Sequence, residues 1–377
     1  MRVVHAYKIA KPEMEGGIPE AIDILASGLM ARGIDNEIVV ARAKGLKQSG
    51  IHNGVKVTRA ASFGDVMSLP MSPTYPLLLK SRIRDADIVA FHTPFPLADP
   101  ILAFLPSHQG LVVHWHADIV RQKRSAALLA PLRRAMLDRA DRIVVAHETI
   151  VASNETLHAY RDKIVTIPYG IDVGHWEQET PEDRQEIDRL THKYPVLFVT
   201  VGRLVTYKGF NVLIEAMTRV KGHLIICGEG PERDNLETMI RKEGLSERVM
   251  LAGKTSTTEM RRYLKAATGF VFPSITSAET FGIVQLEAMA AGAPIINTAL
   301  TTAVPDIARD GQEALTVAPS DVAELAIAMR LMATDSSLRQ HLIEAGKTRV
   351  TQEFSRDTFV ARTLACYRDV FEGLRVA

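Results

Sequence analysis

The chain has 377 residues, of which 46% are hydrophobic and 24% are charged. At ~100–200 residues per domain this length predicts two domains. The 45 basic residues against 44 acidic ones exclude a global field of the kind that attracts nucleic acid. Two cysteines form neither a disulfide framework nor a zinc site, so we expect a reducing compartment.

Short segments rich in β-branched and apolar residues alternate with helical lengths along the chain. The first six are Val3–Tyr7, Ile38–Val40, Ile88–Phe91, Leu111–Val113, Ile143–Val145 and Ile164–Ile167. Five more are Val196–Val201, His223–Ile226, Val249–Leu251, Phe270–Phe272 and Ile295–Ile296. Strands that are apolar on both faces are typical of parallel sheets covered by helices. Two series predict an α/β protein with two Rossmann-like, doubly wound domains.

Between the two series the sequence turns polar, in the segment EQETPEDRQEIDRLTHK of residues 177–193. A polar segment between two apolar series is typical of a linker. We therefore place an N-terminal domain at residues 1–180 and a C-terminal domain at residues 181–356, followed by a helical segment at 357–377.

Two places in the first domain carry candidate ligand-binding residues. Gly16 and Gly17 follow the first strand, and paired glycines allow close approach of the backbone to a ligand; the alternative is a tight turn without one. His114 and His116 lie at the end of a later strand, where open α/β sheets bind ligands. A zinc or manganese site on these two histidines would need a third ligand, and the sequence offers none at a suitable spacing. Asp118 is a candidate for orienting His116 or an acceptor hydroxyl.

A basic segment follows these histidines. It contains Arg121, Lys123, Arg124, Arg133, Arg134, Arg139 and Arg142, and Lys80, Arg82 and Arg84 are further candidates for the same patch. An apolar stripe at helical spacing predicts a helix that packs on the sheet with a solvated basic outer face. The alternative interpretation is contact with anionic lipid headgroups or a lipid diphosphate.

Cations and glycines recur after the strands of the second domain. Gly202 ends one strand, and a loop then offers Arg203 and Lys208, whose guanidinium and ammonium groups suit phosphate oxygens. Gly228 follows the next strand, and Lys254 follows the one after that. The alternative is ordinary surface charge.

The segment 274–297 combines a loop, a helix and a short strand. A helix that begins at Phe281-Gly282 presents unbonded N–H groups and the positive end of its dipole, which suit a diphosphate. Glu279 precedes this helix and Glu287 lies inside it, so both carboxylates can accept hydrogen bonds from sugar hydroxyls of one ligand. The arrangement predicts a nucleotide-sugar site.

This segment, with its E-T-F-G-x-x-x-L-E-A-M-A-x-G-x-P string, resembles the E-x7-E signature of the retaining GT-B glycosyltransferases of family 4. The resemblance implies two Rossmann-like domains facing each other across a cleft, and a last helix that returns to the first domain. It implies that Glu279 contacts the donor sugar and Glu287 the ribose, while the amides of Phe281, Gly282, Ile283 and Val284 hold the diphosphate.

Further roles follow from the same resemblance. Arg203 and Lys208 resemble the pair that neutralises the departing diphosphate. His116 resembles the histidine beside the donor sugar, and Gly16-Gly17 resembles the loop that faces donor and acceptor. Gly202, Gly228 and Lys254 lie where the family meets the nucleotide. One departure is Thr302–Asp306, which replaces the Gly-Gly-x-x-Glu segment of many relatives and weakens any inference about the donor from that loop.

The resemblance implies a retaining, metal-independent hexosyltransferase without a cofactor. Residues 113–124 are similar to the corresponding segment of bacterial mannosyl- and rhamnosyltransferases of surface polysaccharide assembly. We therefore expect GDP-mannose as donor and a glycan or polyprenyl-diphosphate-linked oligosaccharide as acceptor. The alternatives are a UDP-hexose donor, a sugar-nucleotide epimerase and a non-catalytic GT-B partner subunit.

The N-terminus contains no apolar segment of signal-peptide length. The longest uncharged run, residues 288–305, is interrupted by a glycine and two prolines, which argues against a membrane span. We therefore expect a cytoplasmic protein with peripheral contact to the inner face of the cytoplasmic membrane.

Overall fold

The structure, a computed structural model, describes residues 1–14, 16–66, 69–116 and 123–376. The chain folds into two compact units. Unit 1 comprises residues 1–171 and the C-terminal helix from Arg356, and unit 2 comprises residues 172–355. The sequence placed the first boundary at 180, nine residues later than the structure does.

Unit 1 is built on an eight-stranded sheet with a separate two-stranded ribbon. Its strands are β1 (Arg2–Tyr7), β2 (Asp35–Ala41), β3 (Gln48–His52), β4 (Val55–Ala60), β5 (Asp65–Val66), β6 (Leu69–Pro70), β7 (Ile88–Thr93), β8 (Gly110–Trp115), β9 (Arg142–Val145) and β10 (Ile164–Thr166). Its helices are α1 (Gly17–Ala31), α2 (Tyr75–Ile83), α3 (Asp99–Leu102), α4 (Lys123–Arg139), α5 (Glu148–Ala152), α6 (Glu155–His158) and the C-terminal α16 (Arg356–Val376). A 3₁₀ turn covers Arg161–Lys163.

The large sheet has the order β10-β9-β8-β7-β1-β2-β4-β3, and all its pairs are parallel except β3 with β4. The chain reverses its direction of growth between β1 and β7, so this pair is the switch point at which open α/β sheets bind ligands. The central strands β7 and β8 are buried along their whole length.

The C-terminal helix α16 belongs to unit 1, where it packs against α1. A Cβ at Gly28 of α1 would approach Val360 Cγ2 to 2.5 Å, so the glycine is what lets the two helices come together. Arg32 of α1 also donates to Asp357 Oδ1 at 2.8 Å.

Unit 2 is built on a six-stranded sheet. Its strands are β11 (Leu197–Val201), β12 (His223–Cys227), β13 (Val249–Gly253), β14 (Gly269–Val271), β15 (Ile295–Thr298) and β16 (Ala314–Val317). Its helices are α7 (Val173–Glu177), α8 (Pro181–Lys193), α9 (Phe210–Met217), α10 (Arg233–Lys242), α11 (Thr257–Ala266), α12 (Ile283–Ala291), α13 (Val304–Ile307), α14 (Val322–Thr334) and α15 (Ser336–Glu353). A 3₁₀ turn covers Thr206–Lys208.

The sheet order β13-β12-β11-β14-β15-β16 is fully parallel and is the doubly wound order 3-2-1-4-5-6. Its switch point lies between β11 and β14. The core includes Phe198, Leu213 and Met329, which come from the sheet and from helices α9 and α14. The prediction of two Rossmann-like α/β sheets is confirmed.

The polar segment 177–193 is mostly helix, and its interpretation as a linker was wrong. Helix α8 begins with a capping box in which Thr180 and Asp183 satisfy each other's backbone N–H groups. The Asp183 carboxylate also receives Arg261 at 2.7 Å and Arg262 at 2.6 Å, both from α11. The composition is polar because only Asp183 and Leu190 of this helix are buried, and Asp183 is held by its two arginine partners.

Candidate active site

Two loops of unit 2 meet at the switch point of its sheet. The loop after β11 carries Lys208, and the loop after β14 carries Ser274 and Glu279. The Lys208 ammonium and the Glu279 carboxylate form an ion pair, and each side chain is 12% exposed. Ser274 Oγ donates to Glu279 Oε2 at 3.3 Å. The structure thus brings together two of the predicted site residues.

The surroundings of Lys208 fix its position. Its Nζ lies 4.9 Å from the centre of the Phe272 ring, a cation–π contact. A Cβ at Gly202 would lie 3.3 Å from Lys208 Cε, so a larger residue there would press on the lysine stem. The ammonium is therefore held at the strand ends together with its carboxylate partner.

Glycines bring the backbones of these loops into contact. Gly209 has φ +69, and a Cβ there would lie 2.0 Å from the carbonyl oxygen of Pro273. Gly228 has φ +143, and a Cβ there would lie 1.9 Å from the carbonyl oxygen of Gly202. Both positions require glycine for conformation and for space.

The predicted phosphate-binding turn forms the start of α12. Gly282 is the N-cap residue with φ +79, and Ile283 and Val284 are the first residues of the helix. Because Gly282 has no side chain to cap the helix, the first-turn N–H groups face the loop. Phe281 is buried and Glu287 is half-buried.

A buried amide network holds this turn. Asn297 at the end of β15 donates to Gln285 Oε1 at 2.9 Å and to the carbonyl of Ala308 at 2.8 Å, and Gln285 donates to the carbonyl of Val304 at 3.2 Å. The amide of Ala303 donates to the Thr280 carbonyl at 3.1 Å. The atypical segment 302–306 therefore supports the turn that carries the two acids.

The remaining predicted residues of unit 2 follow adjacent strands. Gly202, Gly228 and Lys254 come directly after β11, β12 and β13, and backbone hydrogen bonds join the first two of these strand ends to their neighbours. Arg203 is exposed, and within the described residues its guanidinium has no carboxylate or carbonyl partner. Lys254 is also exposed.

At the switch point of unit 1, Gly16 is the N-cap residue of α1 and Gly17 is its first residue. Gly16 has φ +141, and a Cβ there would meet nothing within 4 Å. Conformation rather than crowding therefore requires this glycine. The turn leaves the backbone at the start of α1 open on that side.

His116 lies in a buried cluster that the sequence did not reveal. His116 Nε2 is 2.9 Å from His92 Nδ1, and His92 Nε2 is 3.2 Å from His5 Nδ1. On its other side, His116 Nδ1 is 2.5 Å from the Tyr169 hydroxyl. His114 Nε2 makes a separate hydrogen bond of 2.8 Å to Tyr367 of α16. His116 is only 6% exposed.

Burial keeps these imidazoles neutral. Desolvation lowers the pKa of His5 and of His116 to about 3. The pKa values of His92 and His114 are also well below the usual range, through desolvation first and then through the neighbouring histidines. A neutral imidazole with so low a pKa is a weak base at pH 7, so His116 is a hydrogen-bonding group rather than a general base.

Sequence reasoning missed the partners of the predicted residues, namely His5, His92 and Tyr169 in unit 1 and Phe272, Ser274, Gln285 and Asn297 in unit 2. The position of His92 at the end of β7, directly beside His114 in the sheet register, was a usable signal. Tyr169 follows β10 in a Pro-x-Gly-Ile-Asp turn that resembles a structural turn of family 4, and nothing in this motif linked Tyr169 to His116.

Two arginines of the basic segment are bonded within unit 1. Arg139 donates to the carbonyl of Leu105 at 2.9 Å and contacts Asp141, while Arg142 donates to Asp369 at 2.8 Å. These two arginines therefore hold unit 1 together. Asp118, Arg121 and the side chains of Lys123 and Arg124 lie outside the described residues.

The described residues contain neither a metal-binding cluster nor a membrane-spanning helix. No group of three or more His, Cys, Asp or Glu side chains there is arranged to hold a metal ion. No helix in the same ranges has both the length and the apolar character needed to cross a membrane.

Two family models match the chain, one in each half. The model described as Glycosyltransferase Family 4 matches residues 15–175, and the model described as Glycosyl transferases group 1 matches residues 182–349. O-antigen chain mannosyltransferase C of Escherichia coli is 29% identical over 99% of this chain and 100% of that protein. D-rhamnosyltransferase WbpZ of Pseudomonas aeruginosa is 29% identical over 88% of this chain and 86% of that protein.

Solved structures agree in fold. The sucrose-phosphate synthase of Thermosynechococcus elongatus has a TM-score of 0.84 at 20% identity, covering 99% of both chains. WaaG, a glycosyltransferase involved in lipopolysaccharide biosynthesis, has a TM-score of 0.72 at 18% identity, covering 96% of this chain and 98% of its own. At these identities the likeness shows the fold alone.

Proposed function

The chain belongs to the glycosyltransferases, with one Family 4 domain and one group 1 domain, and from this premise we propose that it transfers mannose from GDP-mannose to a hydroxyl group. The acceptor we propose is a glycan or polyprenyl-diphosphate-linked oligosaccharide of surface polysaccharide assembly. The observation that carries the proposal is the Lys208–Glu279 pair at the switch point of unit 2. The epimerase and the non-catalytic subunit have no feature of the site in their favour.

The pair suits a ligand with a diphosphate beside a sugar. Lys208 can exchange its carboxylate for a phosphate oxygen, and Glu279 can then accept hydrogen bonds from sugar hydroxyls. Because the two groups already hold each other, neither has to be ordered from solvent when the donor binds. The amides of residues 281–284 and the Arg203 guanidinium would share the diphosphate charge, and Glu287 would bind the ribose.

The choice of donor rests on the relatives. The Escherichia coli protein that aligns over the whole chain is named as a mannosyltransferase, and the Pseudomonas protein is named as a D-rhamnosyltransferase. D-rhamnose is 6-deoxymannose, so the two sugars differ by one hydroxyl group. A GDP-linked donor of the manno configuration is therefore the first choice, and a UDP-hexose is the second.

We propose that transfer retains the anomeric configuration and needs no metal ion. The acceptor oxygen forms its bond to C1 on the face from which the phosphate departs, and the proton of the acceptor hydroxyl passes to the departing phosphate oxygen. The low pKa of His116 supports this route, because no histidine of the cluster is a competent base at pH 7. The anomeric configuration of the product, read by NMR coupling, tests the stereochemistry.

Nucleotide binding is the first test. GDP, UDP, ADP and TDP are compared by thermal stabilisation, with and without EDTA; a ligand at 100 times its dissociation constant adds ~2.7 kcal/mol. We expect GDP to stabilise the protein most and EDTA to change nothing. Preference for UDP would overturn the donor, and a loss of stabilisation with EDTA would overturn the metal-independent mechanism. Release of GDP from GDP-mannose then measures turnover.

We also propose peripheral contact with an anionic membrane, through a surface of unit 1 other than the basic segment. Leu46, Phe63 and Leu77 are 82%, 81% and 72% exposed. An antiparallel bridge between Gly45 and Ser62 joins the two backbone segments that carry Leu46 and Phe63. Exposed Lys44, Lys47, Lys80 and Arg84 flank these apolar side chains. Apolar side chains flanked by cations are typical of membrane-surface contact.

Co-sedimentation with vesicles tests this contact. We expect binding to vesicles that contain phosphatidylglycerol and little binding to pure phosphatidylcholine. Leu46→Ser with Phe63→Ser should abolish binding, whereas Ile327→Ser, at an exposed apolar residue of unit 2, should not. Equal loss in both proteins would contradict the assignment of this surface.

A further inference from the structure

The hydrogen bonds that join Tyr169, His116, His92 and His5 form one continuous relay. Each neutral imidazole has one N–H donor and one lone-pair acceptor. The two ring nitrogens of His92 and of His116 are both engaged in the relay. Every bond must therefore point the same way along the chain, and only two proton arrangements exist.

The far end of the relay distinguishes the two arrangements. His5 Nε2 is buried and has no hydrogen-bond partner within the described residues. In the first arrangement His5 Nε2 carries a proton, which leaves a buried N–H without an acceptor, and such groups are rare in native structures. In the second arrangement His5 Nε2 keeps only an unpaired lone pair. In the second, His5, His92 and His116 are all protonated at Nδ1, and His116 donates to the Tyr169 hydroxyl.

The same buried nitrogen argues against proton conduction. A proton passed along the relay from Tyr169 would reach His5 at Nδ1, and His5 could release a proton only from Nε2, where no acceptor in the described chain receives it. The relay is therefore closed at one end. It can orient rings and fix tautomers, but it cannot carry a proton away from a reacting hydroxyl.

The groups around the relay do not disturb it near neutral pH. Tyr7 of β1, His114 of β8 and Tyr367 of α16 pack against the histidine rings. Burial raises the pKa of Tyr7, Tyr169 and Tyr367 further above their usual value, so all three phenols stay neutral. Among the described residues no carboxylate or cation is hydrogen-bonded to any ring of the relay.

We propose that His5, His92 and Tyr169 are positioning residues, which fix the ring orientation of His116 and its Nδ1–H tautomer. Their importance for glycosyl transfer rests on the proposed function, in which His116 acts beside the donor sugar. Because both ring nitrogens of His116 are hydrogen-bonded, the orientation of its ring is fixed. The tautomer that the relay selects determines which of these nitrogens can bind a sugar hydroxyl in place of its present partner. That nitrogen is Nδ1, a donor whose partner, Tyr169, is a hydroxyl group like that of a sugar.

Imidazole ¹⁵N NMR of protein labelled at its 12 histidines tests the tautomers directly. The ¹⁵N shifts distinguish an Nδ1–H from an Nε2–H imidazole, and loss of a signal in a single-residue variant assigns it. We expect His92 and His116 in the Nδ1–H form, unchanged from pH 8 to pH 6. An Nε2–H signal for either, or titration of His116 near pH 6.5, would overturn the relay.

Two substitutions at one position separate the two bonds of His92. His92→Asn keeps an amide near the former Nδ1, which bonds His116, whereas His92→Gln keeps one near the former Nε2, which bonds His5. We expect His92→Gln to lower the rate of GDP release from GDP-mannose by about tenfold or more through kcat. We expect His92→Asn to stay within about threefold of the unchanged protein, with KM for GDP-mannose little altered in both.

His114→Gln is the matched control, because His114 is the neighbour of His92 across the sheet, is similarly buried and hydrogen-bonds Tyr367, which is not part of the relay. A purely structural role of His92 predicts that His92→Gln, His92→Asn and His114→Gln lose activity in proportion to their loss of Tm. That result would overturn the positioning role. If the unchanged protein releases no GDP from GDP-mannose, the proposed donor fails, and the NMR measurement still decides the relay.

Discussion

The two units place different chemistry at the same point of the same kind of sheet. At the switch point of unit 2, a lysine and a glutamate pair at the end of two loops that glycines hold in contact. At the switch point of unit 1, neutral imidazoles bond one another inside the sheet, away from solvent. One site is charged and built from loops, and the other is uncharged and built from strands.

The difference follows from what each site has to do. A diphosphate brings negative charge, which cations and helix N-termini at the surface of a sheet can meet. A buried cluster cannot hold uncompensated charge. It can contribute only hydrogen bonds of fixed direction, which the tautomers and ring planes of the histidines set. Shared topology therefore fixes where ligands bind, and the side chains fix what is bound.

Gly209→Ala tests the dependence of unit 2 on glycine and should have the largest effect. An alanine with φ +69 costs about 1–2 kcal/mol, and its Cβ would meet the Pro273 carbonyl at 2.0 Å. We expect a loss of about 3–5 kcal/mol in the free energy of unfolding. Gly33→Ala is the control, because Gly33 has φ +74 but open space around its Cβ. Equal losses in chemical denaturation would show that crowding between the loops contributes nothing.

Acid should unfold unit 1 before unit 2. The pKa values of His5, His92, His114 and His116 are lower folded than unfolded, so below pH 6.5 the unfolded state binds more protons and stability falls. Each contributes up to about 1.4 kcal/mol per pH unit. Asp99 opposes them, because burial raises its pKa to about 7 and protonation then favours the folded state. By pH 5.5 we therefore expect the free energy of unfolding of unit 1 to be lower by about 3 kcal/mol.

In unit 2 the acid-induced loss of stability occurs at a lower pH. Against the effect of burial, Arg309 lowers the pKa of Glu313, and the Thr180 backbone N–H and then the arginines of α11 lower the pKa of Asp183. The stabilisation from these two groups is therefore lost only below about pH 4.5. Burial also lowers the pKa of His223, but this side chain is only half-buried. Trp115 reports on unit 1 and Trp176 on unit 2, and the chain has no other tryptophan. Fluorescence of Trp176→Phe should therefore change at higher pH than that of Trp115→Phe; coincident transitions would contradict the contrast.

Lys208→Ala should abolish most turnover while leaving the fold intact. Removing one group that stabilises developing charge typically costs about 10²–10³ in kcat. Lys208→Arg keeps the charge but not the compact ammonium, and we expect intermediate activity. The measurement is GDP release from GDP-mannose, with Tm as the check on folding. A Lys208→Ala protein with full activity would remove the charged pair from the proposed mechanism.

The contrast also explains what the sequence could and could not predict. The predicted residues of unit 2 each lie in a short motif that follows a strand, so the local sequence was enough to select Lys208 and Glu279 as candidates. The relay residues are separated by 87, 24 and 53 positions and meet only through the strand order. Strands β3, β4, β5, β6 and β16 were also missed, and in β4 charged residues interrupt the apolar pattern.

Glu287→Gln should have the smallest effect. It tests how much the negative charge of Glu287 contributes to ligand binding at the charged site of unit 2. Glu287 is half-buried in α12, four residues or just over one turn after Ile283, the first residue of this helix. If it accepts hydrogen bonds from the ribose, the amide keeps one acceptor and loses the charge, which costs about 1.4 kcal/mol or tenfold in Kd for GDP. Calorimetric titration with GDP and with mannose 1-phosphate separates the two ends of the donor. A ribose contact predicts weaker GDP binding with unchanged mannose 1-phosphate binding, whereas the reverse would move Glu287 to the sugar and make Glu279 the residue nearer the nucleotide.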